Sequence, residues 1–336
     1  MLRFDKKWEN MTELDLKDRK ILYQLDLNCR QSNAQIGKKV GLSKQVVDYR
    51  IKRMEREGII IGYWTAVDTF KLGYDVFRIY IKFQYIDAHI KEEIINYFSR
   101  LKNAWAVKSA KGDIDLVVVL WIKDNYKFYQ FWNKTLDLYE EYFTSAAISL
   151  YIQTVDYKKS YIIKENPTDP KREQYIVKST KDYVKINDID YEILNELAEN
   201  ARIPLTKLSK KFKLSSQQIN YRIKNLIQKG IIKGFRIFID YYSIGLEHYK
   251  LDIYLKDHKA LIPILNFLKT KPCLQRLNVA IGWADIEPEF VVENIRNLTF
   301  VIDELNNKFS NCIRKYTYWI TEKSHRERWL PEIEFR

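Results

Sequence analysis

The sequence is poor in the residues that most soluble chemistry depends on. It has three cysteines, four histidines and ten glycines in 336 residues. Cys29, Cys273 and Cys312 have no metal-ligand spacing and an odd total, which argues against a disulfide framework and for a reducing compartment. No Ser-His-Asp set, metal-binding spacing or phosphate-cradling glycine loop is present. The longest apolar run, Leu116 to Ile122, is seven residues, against the roughly 20 that span a bilayer. The opening "MLRFDKKWENMTELD" has no apolar core of signal-peptide length. The expectation is a cytoplasmic protein that is not an enzyme, with no membrane contact, no cofactor and no metal. Acid is also short: 44 Asp and Glu face 57 Lys and Arg, a net charge of +13 and a pI near 9.3. Such an excess suits a polyanionic partner, most often nucleic acid.

A repeat organises what is present. Asp18 to Gly73 aligns without a gap to Asp190 to Gly245 at an offset of 172, and 21 of 56 positions are identical. The run Tyr49-Arg50-Ile51-Lys52 returns as Tyr221-Arg222-Ile223-Lys224, and Gly58, Asp68 and Gly73 return as Gly230, Asp240 and Gly245. Two copies are too few for a solenoid, so the chain reads as one duplicated module.

Within the first copy, Leu14, Ile21, Leu22 and Leu25 have helical spacing, and a short helix comes next at Asn33 to Val40. Ser43 suits the N-cap of a third helix ending near Glu57, Gly58 suits its stop, and "IIIGYWTAVD" has strand character. Helix, helix, turn, helix, strand is a helix-turn-helix with a short wing. The remainder alternates strand and helix in the order βαββαβ, a ferredoxin-like arrangement, and the second copy repeats it after a two-residue drift. The fold expected is α+β, with winged helix-turn-helix regions at 14–72 and 186–244. Ferredoxin-like domains are expected at 73–160 and 245–323, a linker at 161–185 around "KENPTDPKREQ", and a C-terminal tail at 324–336.

Most of the positive charge falls on the helix-turn-helix segments. Lys38 to Arg56 holds seven basic residues against Asp48 and Glu55, and Lys207 to Lys229 holds seven with no acid. Such clustering is what phosphate neutralisation needs. With Val47, Ile51 and Met54 turned to the core, the third helix presents Ser43, Lys44, Gln45, Asp48, Tyr49, Lys52 and Arg53. The second copy presents Ser215, Ser216, Gln217, Asn220, Tyr221 and Lys224. Gln45, Gln217 and Asn220 have the chemistry to read adenine, and Asp48 to accept from a cytosine amino group. Arg50 and Arg222 border the core face, where an ion pair or a phosphate contact would serve equally.

The segment "SKQVVDYRIKRMEREGIIIGYWTAVD" (Ser43 to Asp68), then "KLGY" and "AKGDIDLVVVLW", after "LDLKDRKIL" at Leu14 to Leu22, resembles the Lrp/AsnC (feast/famine) transcription regulators of bacteria and archaea. The resemblance covers nearly the whole chain, with two complete copies where the usual member has one. It implies a winged-helix DNA-binding domain joined to a regulatory sheet that drives dimerisation, and small effectors such as amino acids bound near a Gly-Asp turn. Gly112, Asp113 and Asp115 match that turn; in the second copy only Gly282 and Asp285 match, because Trp283 replaces the first acid. The partners implied are double-stranded DNA, a small effector, and the two halves of the chain as an internal pseudo-dimer open to further homodimerisation. The expected function is sequence-specific duplex binding by two reading heads, on half-sites about 34–36 Å or a multiple apart. An architectural DNA-binding protein without sequence preference is the alternative. Some Lrp-like proteins are siroheme decarboxylases, but the strands that would carry a pocket histidine, "AWAVKSAK" and "CLQRLNVA", contain none.

Overall fold

The structure is a computed structural model and describes residues 13–163 and 172–332. The first winged region comprises α1 (Leu16–Leu27), α2 (Asn33–Val40), α3 (Lys44–Arg56) and β1 (Ile60–Val67). Its helices start where short polar side chains can cap them: Asp15, Ser32 and Ser43 each accept from the backbone N–H three residues on. Val47, Ile51 and Met54 recur on one face of α3 and are buried. The turn between α2 and α3 requires a left-handed residue, which is Gly41 in this copy. In the second copy Lys213 takes the same conformation, with φ 54°, at a cost of about 1 kcal/mol.

The chain continues through β2 (Asp75–Phe83), α4 (Ala88–Ser99), β3 (Ala104–Gly112), β4 (Leu116–Ile122), α5 (Asn125–Tyr139) and β5 (Phe143–Tyr157). After β6 (Glu173–Lys178), the second copy supplies α6 (Asp188–Glu199), α7 (Leu205–Phe212), α8 (Ser216–Gln228) and β7 (Ile232–Ile239). It closes with β8 (Glu247–Leu255), α9 (Leu261–Lys269), β9 (Leu274–Ile281), β10 (Glu287–Val292), α10 (Ile295–Phe309) and β11 (Ile313–Glu327). Each half is an antiparallel βαββαβ unit, with strand orders β5-β2-β4-β3 and β11-β8-β10-β9.

The fourth strand of each half is long and serves both halves. Phe143 to Leu150 of β5 pairs with β2 of its own half, and Leu150 to Asp156 pairs with β9 of the other. In β11, Ile313 to Ile320 pairs with β8, and Trp319 to Glu327 pairs with β3. The two sheets thereby close into one ring of eight strands, with β6 added beside β5. The winged regions join separately: β1 and β7 form a two-stranded ribbon centred on the facing pair Trp64 and Arg236, which are equivalent positions of the repeat. Helix α1 packs on β7 and α6 on β1, so both heads share one core that includes Ile21, Leu22, Ile193 and Leu194.

Two expected boundaries need correction. Most of "KENPTDPKREQ" lies outside the described residues, but the stretch expected as linker contains β6, because Gln153 to Tyr157 offers it a ladder. The last strand runs through Glu327, beyond the boundary at 323, since β3 pairs with its second half. Two residues just after β11 pack back on the winged regions: Trp329 stacks on Trp64 at 3.9 Å between ring centroids, and Leu330 is buried in the shared winged core. Pro288 suggests an edge or a bulge in sequence; β10 is an interior strand, with its register shift one residue on, between Glu289 and Phe290.

Candidate nucleic-acid interface

Helices α3 and α8 are the elements that would meet DNA. On α3, Lys44, Gln45, Tyr49 and Lys52 are exposed, with Ser43 exposed at the cap. On α8, Gln217, Tyr221 and Lys224 are exposed, Ser216 and Asn220 are half-buried, and Ser215 closes a capping box with Gln218. Tyr49 and Tyr221 are 64% and 72% exposed, too open to be core residues. The structure therefore brings most of the expected reading residues to one open face per head.

The arginines are engaged within the protein. Arg50 donates to Asp15 and Asp18 at 2.7 and 2.8 Å, and Arg53 to the same Asp18 at 2.6 Å. In the second head Arg222 pairs with Asp190 at 2.7 Å, and Asn225 stands where the first head has Arg53. These guanidinium groups lock α3 and α8 onto α1 and α6. Asp48 is held by Lys52 at 2.8 Å and by Asn33 at 3.0 Å. The hydrogen bond from Lys52 holds its carboxyl below the ordinary range. Asn33 also accepts from Arg202 of the other head at 3.0 Å, and Arg30 donates to the carbonyls of Ala201 and Ile203 at 2.7 and 3.1 Å. The heads are thus tied to each other by reciprocal arginines as well as by the ribbon.

The residues at the Gly-Asp turns have a packing role. Gly112 and Gly282 have φ of 121° and 100°, and a Cβ on either would stand 2.6 Å from the Tyr318 carbonyl oxygen or 2.5 Å from that of Ile148. Each glycine lets its turn approach the long strand of the opposite half. Asp115 accepts from the Phe83 N–H at 3.0 Å and from Lys82 at 3.2 Å; Asp285 accepts from the Leu255 N–H at 2.7 Å. Asp113 is exposed.

A buried charge network was not foreseen. Asp26 of α1, fully buried, accepts from Arg236 of β7 at 2.5 and 3.0 Å and from Lys159 at 2.6 Å. Arg236 also reaches Asp156 at 3.2 Å, and Asp156 accepts from Arg276 at 3.0 Å. Burial opposes charge on Asp26, but Arg236 and Lys159 more than offset it and hold the carboxyl below its usual range. Burial draws Lys159 down to about 8. Inside the ring, Arg78 and Tyr80 of the first half meet Glu287 of the second at 2.8 and 3.0 Å, and Lys250 joins them. One signal was available. The register places Val119 beside Arg78 and Glu289 beside Lys250, so the two copies put unlike residues at like positions.

The arrangement defines a class: a duplicated winged helix-turn-helix module whose two heads are held on one closed βαββαβ pair. The sequence pattern of winged helix-turn-helix DNA-binding domains matches residues 14–61 and 186–233. The HTH-type transcriptional regulator Ptr1 of Methanocaldococcus jannaschii is 33% identical over 111 residues, which are 33% of this chain and 74% of that protein. The HTH-type transcriptional regulator LrpA of Pyrococcus horikoshii is 31% identical over 114 residues, 33% of this chain and 77% of that protein. The crystal structure of the siroheme decarboxylase NirDL covers 95% of this chain and 94% of its own, with TM-score 0.63 and 10% identity, a likeness of fold. The chain belongs to the Lrp/AsnC family, with the whole module present twice. Among the described residues no helix is long and apolar enough to cross a membrane.

Proposed function

We propose that the protein is a sequence-specific double-stranded DNA-binding transcription regulator with two unlike reading heads on one chain. The observation that carries this reading is the pair of exposed polar faces on α3 and α8, fixed to one another by the β1–β7 ribbon and a shared core. Ordinary association of two chains is replaced by covalent linkage, so the spacing of the heads is a property of the fold. Because α3 begins "KQVVDY" and α8 begins "SQQINY", the favoured site is an imperfect palindrome. Exposed Lys44 and Lys224 would meet phosphates, and Gln45, Gln217 and Asn220 would read base edges. Titration of labelled duplexes by fluorescence anisotropy tests it: affinity should fall steeply with salt and depend on sequence. Equal affinity for unrelated duplexes at matched salt would favour an architectural role.

The full-length likeness to NirDL raises a second reading, a tetrapyrrole decarboxylase. Against it, the cavity at the ring's mouth measures about 50 Å³ as it stands, and His248 is engaged with Glu289 at 3.3 Å. Reconstitution with an iron tetrapyrrole should leave the visible spectrum of the repurified protein featureless; a retained chromophore would support the enzyme.

A further inference from the structure

Resting on the regulator reading, we propose that the two half-sites differ at one defined base pair: C·G, read by Asp48 of the first head, against A·T, read by Asn220 of the second. Asp48 and Asn220 are equivalent positions of the repeat, the fifth residue of α3 and of α8. Residues in the N-terminal part of such a helix are the ones that reach base edges. The side chain of Asp48 is 43% exposed and that of Lys52, one turn on, 69%.

The carboxylate is held in place from two sides. One oxygen accepts from Lys52 Nζ at 2.8 Å and the other from Asn33 Nδ2 at 3.0 Å. The Asn33 oxygen in turn accepts from Arg202 of the second head at 3.0 Å, so the amide nitrogen is the end left for Asp48. The second head thereby orients a reading group of the first. Lys52 also offsets the repulsion that phosphates exert on an acid, since the pair carries no net charge. The second copy has no such clamp. Leu205 stands where the first has Asn33, and the side chains of Asn220 and Lys224 make no hydrogen bond or ion pair among the described residues.

Hydrogen-bond chemistry then selects the base. A carboxylate has about four lone-pair sites and no donor, so each oxygen of Asp48 keeps a site for a donor on DNA. In the major groove only cytosine N4 and adenine N6 donate. Adenine sets its N7 acceptor beside N6, where Asp48 has nothing to give, and guanine and thymine offer no donor at all. Cytosine is the base whose edge leaves no group unmatched. Asn220 carries both an acceptor and donors, which meet adenine N6 and N7 together.

Selection from random duplexes by the full-length chain and by Asp48→Asn, which gives the first head the residue of the second, tests the assignment. The unmodified chain should return C·G in one half-site and A·T at the same position of the other. Asp48→Asn should return A·T in both, and the unaltered half-site of the second head serves as its folding control. On the selected duplex, exchanging that C·G for A·T should weaken the unmodified chain about 5- to 100-fold, the range for one mismatched base pair, and should strengthen Asp48→Asn. Asn33→Leu should keep the preference for cytosine but reduce its ratio about two- to tenfold, the worth of one hydrogen bond. An unchanged ratio would remove Asn33 and Arg202 as positioning residues. A bipartite motif that is the same for the unmodified chain and Asp48→Asn overturns this proposal and leaves the regulator reading standing. No enriched motif from the unmodified chain overturns both.

Discussion

Replacing Asp26 by Asn leaves the size of the side chain unchanged and removes one buried negative charge. Asp26 and Arg236 are both wholly buried, and Lys159 is 4% exposed. After the change two buried cations share what remains of the network, chiefly Asp156, which Arg276 already occupies. Breaking one partner out of a buried ion pair typically costs about 3–5 kcal/mol. Lys159 limits the loss: already near 8 beside a charged Asp26, it would fall further and shed its proton at neutral pH. The low end, about 3 kcal/mol, is therefore expected. At about 2–4 °C per kcal/mol, that lowers the melting temperature by about 6–12 °C. Differential scanning calorimetry at pH 7 on the purified variant measures it. A shift under about 2 °C would refute the claim that this carboxylate holds the first head, the ribbon and the ring together.

The same geometry sets other outcomes. Gly112→Ala and Gly282→Ala should each destabilise the chain by about 1–3 kcal/mol from backbone strain alone, more if the opposite strand must retreat; chemical denaturation reads this, and a neutral alanine at either position would contradict the close approach. Lys44→Ala and Lys224→Ala should each reduce the slope of log affinity against log salt by about 0.9 while leaving the melting temperature unchanged. His325, bonded to Ser109 at 2.6 Å, has its pKa lowered by burial and by Lys323 and Lys91. The unfolded chain therefore takes up this proton at a higher pH than the folded one, so the stability His325 contributes is present above about 6.5 and is lost as pH falls below it. His325→Gln should flatten the melting-temperature profile between pH 7 and 5; an unchanged profile would remove His325 from the account.

Much of the fold could be read from residues alone because it depends on local chemistry. Ser43 and Ser215 cap helices whichever surroundings they have, Gly58 and Gly230 stop them, and Val47, Ile51 and Met54 share a face by period. Duplication made each inference twice. The strand exchange was not legible: nothing local in "FTSAAISLYIQTVDY" says that its second half pairs with β9, 120 residues or more downstream. The buried network escaped for a related reason. Asp26 looks like a polar residue on a helix surface until Arg236 of the other copy is placed against it. In the candidate interface, the exposed positions of α3 and α8 were readable, whereas the role of Arg50 and Arg53 depended on where Asp18 lay. The glycines of the Gly-Asp turns were visible as turn formers, but their contact with the opposite half was not.

The central claim is that two unlike heads at a fixed separation read one duplex. Selection from a pool of random double-stranded DNA by the full-length protein tests it most directly. The account predicts an enriched bipartite motif with related but non-identical half-sites, centred about one helical turn, or a multiple of it, apart. A selected pool no different in sequence from the starting pool would contradict it.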